Sequence, residues 1–351
     1  MELEFKRDFE AVAGRWESFW RGENPRPLVS AIVPKAGVTP VEKPRYAAGA
    51  SGDFGPVIDQ LLRWAETHEF LGDAIPFVYV EFAADHFAAL LGADLVFRDN
   101  EPGGWAVPFV DDLDGAEIRF QRKGKWWRRT VEFVAALRAR CDGKVLIASP
   151  TLVANLDALS AVRGAERLLF DMVENPAAVH RALGQITKGH EEILSALDEL
   201  LDYPRYGSIN RHGMYARGRL NLPQCDFSYM ISPAMFREFA IPCLREEMRR
   251  FDGVEYHLDG PAAIRHLDAL CELGDLDVIQ WVPGAGNGES QDWSWLYRQI
   301  DSLGKGQILW ANAAELRRLF PERRNRRLFV CLSAGTRAEA EDRIAEIEAL
   351  G

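Results

Sequence analysis

Apolar residues recur at three- and four-residue spacing over residues 5–19, the periodicity of an amphipathic helix. Asn24-Pro25 and Pro27 end it, and Leu28-Val29-Ser30-Ala31-Ile32-Val33 follows as a short buried strand. Residues 37–55, with Gly, Pro and Ala, predict a long loop, and a helix is expected over 56–68. From there strand and helix alternate. Residues 74–81 are apolar and β-rich, while 83–91 read as a helix stopped by Gly92. Residues 94–114 are irregular, with a small hairpin expected around Trp105. A helix over 126–140 precedes a buried strand at 144–149, and 152–172 reads as a helix interrupted near Gly164. Asn175-Pro176 opens a long amphipathic helix reaching Leu201, with the proline in the first turn, where its missing N–H costs nothing. Residues 210–223 are rich in Gly, Arg and Asn and read as a loop; Pro233 starts a helix running to Phe251, and a last helix spans 337–350.

Strands near 28–33, 75–81, 145–149, 206–209, 254–258, 277–281, 307–311 and 327–331 make eight. Short apolar strands alternating with helices imply parallel pairing through helical crossovers. Eight such units predict an α/β fold, a (β/α)8 TIM barrel over residues 1–351 as a single domain, with residues 1–27 as an N-terminal helical extension. An open doubly wound sheet is the competing topology. It is disfavoured because no G-x-G-x-x-G follows the first strand, and Gly284-Ala285-Gly286 lies in the wrong context for a dinucleotide fingerprint.

Composition narrows the class of function. The 351 residues are 47% hydrophobic and 27% charged, ordinary values for a soluble globular protein. A formal net charge of -11 argues against nucleic-acid binding, which needs clustered Lys and Arg. Arg317, Arg318, Arg323, Arg324, Arg326 and Arg327 do cluster around Pro321. They read first as a solvated helix end before a strand, and second as an anion-binding rim. Five scattered cysteines suit reduced thiols in a cytoplasm better than a disulfide framework. No signal peptide is apparent, and no stretch approaches the ~20 apolar residues that span a bilayer. The expectation is a soluble, cytoplasmic protein acting on a small molecule.

In a barrel, residues just beyond the strands' C-terminal ends converge on one mouth. Glu81, Thr151, Asp226, His257, Asp259, Gln280, Trp281, Asn312 and Cys331 all sit at such positions. Tyr256-His257-Leu258-Asp259-Gly260-Pro261 is the sharpest group. Residues two apart on a strand share a face, so His257 and Asp259 can both enter the mouth, to bind a metal or to act as an acid–base pair. The plainer reading makes Asp259 a helix cap and His257 its hydrogen-bonded neighbour. Cys331, as a third ligand, would complete a His/Asp/Cys zinc site with one open position; a buried free thiol is the alternative. Cys225 is a rival thiol. Asp226 reads as a substrate-facing carboxylate or a structural turn residue. Gln280 and Trp281 could supply an amide and an aromatic wall, although Trp281 fits core packing equally well. Glu81, Thr151 and Asn312 complete the substrate-facing set. Arg211, Arg217 and Arg219 could bind a carboxylate, a surface role being preferred for them.

Taken in order, several segments resemble the uroporphyrinogen decarboxylase superfamily, which also contains cobalamin-dependent and corrinoid-protein methyltransferases. They are Pro150-Thr151 after the third strand, the segment Leu168-Leu169-Phe170-Asp171-Met172-Val173-Glu174-Asn175-Pro176, and Ser232-Pro233-Ala234-Met235-Phe236-Arg237-Glu238-Phe239 with Pro242. His257-Leu258-Asp259-Gly260 stands where that family has an H-x-C-G-like motif. The resemblance covers most of the chain, is clearest after residue 145, and implies a (β/α)8 barrel. Where the decarboxylases carry an arginine-bearing N-terminal motif, this chain has Val33-Pro34-Lys35-Ala36-Gly37. Where the methyltransferases hold zinc with His, Cys and a C-terminal Cys, His257 and Cys331 match and Asp259 replaces the middle cysteine. The chain is most similar to a divergent branch.

Three functions follow from these readings. The first is a methyltransferase-type enzyme that moves a methyl group between a corrinoid, carried by a partner protein, and a thiol, with zinc on His257, Asp259 and Cys331. The second is a metal-independent decarboxylase, a lyase acting on a porphyrinogen or similar carboxylated substrate, with Asp226 as its central carboxylate. The third is a non-catalytic ligand-binding barrel using the Trp281 region. A homodimer is the assembly to test.

Overall fold

The computed structural model describes residues 2–98, 103–284, 292–321 and 324–351. In chain order the strands are β1 (Leu28–Pro34), β2 (His68–Gly72), β3 (Phe77–Tyr79), β4 (Asp94–Phe97), β5 (Gly104–Val107), β6 (Leu146–Ala148) and β7 (Ser208–Ile209). They continue with β8 (Tyr215–Ala216), β9 (Leu220–Asn221), β10 (Gly253–Asp259), β11 (Val278–Val282), β12 (Gly306–Leu309) and β13 (Leu328–Leu332). One sheet has the order β2-β1-β13-β12-β11-β10-β9, and the pairs β3-β6, β4-β5 and β7-β8 stand beside it. From β9 to β1 every pairing in that sheet is parallel, as helical crossovers require.

Side chains alternate between two environments along these strands. On β1, Val29, Ala31 and Val33 pack in one cluster with Leu309, Leu328 and Val330 and the outer helices, while Leu28 belongs to another with Ile308 and Phe329. That second cluster gathers residues from nearly every strand, including Phe77, Leu146, Ile209, Tyr215, Leu220 and Val278. Its floor is the helix Phe9–Trp20, which contributes Phe9, Val12, Ala13, Trp16, Phe19 and Trp20. Trp16 meets Phe329 edge-on at 4.9 Å, and the Trp20 indole N–H donates to the Tyr215 carbonyl at 2.7 Å. The N-terminal segment is thus a plug against the strand starts, which explains its dense aromatic content.

Most expected elements appear with shifted ends. Asn175 caps the helix Pro176–Leu201, accepting from the Ala178 N–H, and Gly164, at φ 94°, separates Asn155–Arg163 from Ala165–Glu174. The hairpin around Trp105 is the pair β4-β5. Three expectations need correction. Residues 206–209 yield only the two-residue β7, because Tyr203–Tyr206 forms a helical turn first. The stretch 210–223 contains β8 and β9, and β9 is the parallel neighbour of β10; two-residue strands carry too little periodicity to stand out. Strand β2 went unread because no Gly or Pro separates it from the helix Phe54–Thr67. It pairs antiparallel with β1. Residues 285 and 286 of the Gly-Ala-Gly segment, and Arg323, lie outside the described residues.

Trp16→Ala should lower the free energy of unfolding by about 3–5 kcal/mol, the usual cost of emptying a large buried aromatic site. Urea denaturation followed by fluorescence and circular dichroism measures it. A loss below about 1 kcal/mol would show that the helix is not integral to the core.

Candidate functional site

Strand β10 delivers the centre of the site. Val254, Tyr256 and Leu258 face the large helical cluster, so Glu255, His257 and Asp259 share the opposite face. His257 pairs in register with Gln280 of β11, and its Nδ1 is hydrogen-bonded to the Gln280 side-chain oxygen. An amide oxygen only accepts, so the proton resides on Nδ1 and the Nε2 lone pair faces the mouth. Asp259 Oδ2 lies 4.0 Å from that Nε2, and Asp259 Oδ1 is buried with no hydrogen-bond partner among the described residues.

Asp226 reaches the same spot on a segment running alongside β10, where the His257 N–H donates to the Pro223 carbonyl at 3.1 Å. Its backbone is pinned from the next crossover. The Asp157 carboxylate accepts from the N–H groups of Asp226 and Phe227 at 2.9 and 2.8 Å. Asn155, held at φ 45°, donates to the Gln224 carbonyl at 2.9 Å and to buried Glu247 at 3.1 Å. The Gln224 side chain donates to Asp226 Oδ2 at 2.9 Å and accepts from Arg211 at 3.2 Å. Among the described residues, ligand atoms of Asp226, His257 and Asp259 lie within 4.8 Å of one another.

The electrostatics of this group are unusual. Asp226 is itself exposed, yet the protein mass packed around its carboxyl pushes it up to about 8, with the Asp157 and Asp259 charges adding, while Arg211 pulls it down. Burial likewise raises Asp259 and pushes Asp157 up to about 6. It holds His257 down to about 3, helped by the Arg211 charge. A neutral imidazole lone pair and two carboxyls therefore converge with more acceptors than donors. Such a group is satisfied either by protons held on the carboxyls or by a cation.

The other sequence-derived residues divide clearly. Glu81 and Thr151, at the ends of β3 and β6, are joined by a 2.7 Å bond from the Thr151 N–H to Glu81 Oε2. Burial raises Glu81, opposed by that bond and by Arg211. Gln280 orients His257. Trp281 is buried against Trp293, with ring centroids 5.0 Å apart, so it packs in the core and forms no open wall. Asn312 makes a capping box with Glu315 at the helix Ala313–Leu319. Cys331 pairs with Ser30 on β1 and faces the interior near Glu255, but its thiol is not among the ligand atoms that gather around His257 among the described residues. Burial pushes its thiol up to about 12, with the Glu255 charge adding. Cys225 is fully buried and also raised. Of the three loop arginines, Arg217 pairs with Glu10 and Glu17 and Arg219 with Asp198; Arg211 alone of the three acts on the site.

Several participants went unread. Glu255 sits fully buried on the face of His257, accepting from Asn210 Nδ2 at 2.6 Å and bonded to His212 Nδ1 at 2.6 Å. Its signal was the alternation Glu255-x-His257-x-Asp259. Asp157, Gln224 and His212 gave no comparable signal, because their roles depend on segments that meet only in the folded chain.

A carboxyl whose pKa is raised on folding stabilises the fold fully below its unfolded value, near 4, and that contribution is lost as pH rises through the folded value. For Asp226 the loss extends to about pH 8. His257, lowered on folding, gives its full contribution above its unfolded value, about 6.5, and does not interfere there. The urea midpoint of the metal-free protein should therefore fall between pH 6.5 and 8, and fall less in Asp226→Asn. Equal slopes in the two proteins would show that Asp226 does not carry the proton.

No family model matches the sequence, and no curated protein matches it. Among solved structures, a methyltransferase from Methanosarcina mazei superposes with a TM-score of 0.60 at 11% identity, covering 97% of this chain and 98% of that chain. At such low identity the likeness speaks for the fold alone, and along nearly its whole length this chain is similar in fold to that methyltransferase.

Proposed function

We propose that the chain is a methyltransferase-type enzyme, a single (β/α)8 barrel domain whose mouth moves a methyl group between a corrinoid, carried by a partner protein, and a thiol acceptor. The observation that carries this is the convergence of one imidazole and two carboxyls within 4.8 Å. A divalent cation fits them. One nitrogen and two oxygens are acceptable zinc ligands and leave a position open, and the buried Asp259 Oδ1, unpartnered among the described residues, is a lone pair in need of a partner. Asp226 thus takes the place first given to Cys331. Zinc bound there would supply the positive charge that keeps a thiol ionised at neutral pH. The protein's own part is positional: Gln280 fixes the imidazole tautomer, and Gln224 and Asp157 fix Asp226. In the transfer, the S–C bond forms as the carbon–cobalt bond breaks, its electron pair staying with the corrinoid. The solved methyltransferase shares the fold over nearly the whole length, which is compatible with this reading.

A second reading, metal-independent decarboxylation, is favoured by the proton that Asp226 retains up to about pH 8 and by Arg211 beside it. There Arg211 would hold a substrate carboxylate, and Asp226 would protonate the carbon from which carbon dioxide leaves.

Elemental analysis of the purified protein should find one zinc per chain. Gln280→Ala should weaken zinc binding about 10- to 100-fold, the usual effect of removing a partner of a ligating histidine. His257→Ala should abolish both zinc binding and methyl transfer from a methylated corrinoid to a thiol, followed by the corrinoid spectrum. A metal-free native protein whose His257→Ala variant keeps full activity would overturn the reading. Metal-independent carbon dioxide release from a porphyrinogen would establish the second.

A further inference from the structure

Next to the His257 group, on the β1 and β13 side, lies a cavity of about 500 Å³ bounded by Lys43, Phe77, Arg211, His212, Trp310 and Cys331, among others. Its size suits a small organic ligand. None of the side chains lining it is acidic, although the chain carries a net charge of -11. Two of them, Lys43 and Arg211, are cations. The Lys43 ammonium has no hydrogen bond or ion pair to any described residue; it lies over the Phe77 ring at 3.8 Å and the Trp64 ring at 5.0 Å. Aromatic faces offset only part of the cost of desolvating an ammonium. Burial accordingly lowers Lys43 to about 8. The Arg211 guanidinium makes a single bond, to the Gln224 amide, which leaves most of its donors unused. Trp310, 57% exposed, presents a flat apolar wall edge-on to His212, which Glu255 holds in place.

The geometry points to this cavity as a subsite for an organic anion, its charged end on the Arg211 guanidinium and its apolar body along Trp310, with Lys43 as a second cation on the cavity wall. A carboxylate is the simplest such group, since its two oxygens match the guanidinium fork. Because His212 and His257 are 6.3 Å apart, centre to centre, a ligand seated here extends towards the reactive group. The inference deepens the reading above by giving the acceptor a negative charge, and rests on that reading only for the ligand's role as acceptor.

Equilibrium binding separates the two ideas, since it requires neither turnover nor a thiol. Titration calorimetry on the native protein would compare 3-phenylpropionate with 3-phenylpropanol, which has the same body without the charge. The acid should bind at least about tenfold more tightly than the alcohol; Arg211→Gln should weaken it roughly ten- to a hundredfold, as loss of a charge-assisted bond does, and Lys43→Met should weaken it by a smaller factor. Trp310→Ala should weaken acid binding as well. Equal binding of acid and alcohol, no acid binding at millimolar concentration, or undiminished binding in both charge variants would overturn the assignment. Should Lys43→Met fail to fold, the acid–alcohol comparison and Arg211→Gln decide it. Failed methyl transfer with these binding results intact would count against the reaction and leave the subsite standing.

Discussion

The candidate site depends on one constraint, the two-residue alternation of strand β10 between a dry helical layer and the opposite, polar face. Tyr256 and Leu258 are held by the surrounding helices, so a one-residue slip would bury His257 and Asp259 in hydrocarbon. Register is therefore fixed by hydrophobic burial, and the polar face follows from it. Gln280 is placed opposite His257 by the pairing of β10 with β11. Precision at the reactive group is thus inherited from packing on the far side of the strand.

The second feature is an imbalance of charge and hydrogen bonding that the fold tolerates at one place. Asp157, Asp226, Asp259 and buried Glu247 lie on or just behind the same wall, and the protein packed around them raises all four. Two structural carboxylates elsewhere are paired with cations: Asp73 receives Arg15 and Arg26, and Asp171 receives Arg163. At the mouth Arg211 acts at a distance on several groups and is bonded to an amide. Concentrated acidity of this kind costs stability in the free protein and is relieved when a proton or cation is shared.

Much of the fold was legible because its signals are periodic. The long helix after Asn175-Pro176, the strands β10 to β13 and the break at Gly164 each follow from spacing or from a residue with restricted backbone geometry. The His257–Asp259 pair was legible for the same reason. What escaped depends on contacts between distant segments. Cys331 has a strand-end position like that of His257, yet its thiol lies outside the group of ligand atoms around His257, and sequence order does not measure that placement. Asp226 was read as facing substrate; its closeness to His257 depends on Asp157 and Asn155 anchoring a segment about seventy positions away. Trp281 had two readings, and burial chooses the structural one; Asn312, read as substrate-facing, closes a capping box with Glu315.

The plug formed by the helix Phe9–Trp20 has a consequence for how the chain folds. Trp16 needs Phe329, and the Arg327 guanidinium bonds the Trp20 carbonyl from 307 positions away. The helix Phe9–Trp20 is therefore synthesised long before the strand that completes the cover of its aromatic face. Contacts of such sequence separation carry a large loop-closure cost and form late. Until β13 is made, the Trp16 side of that face lacks its partner Phe329, and apolar surface exposed in a partly folded chain is what drives aggregation.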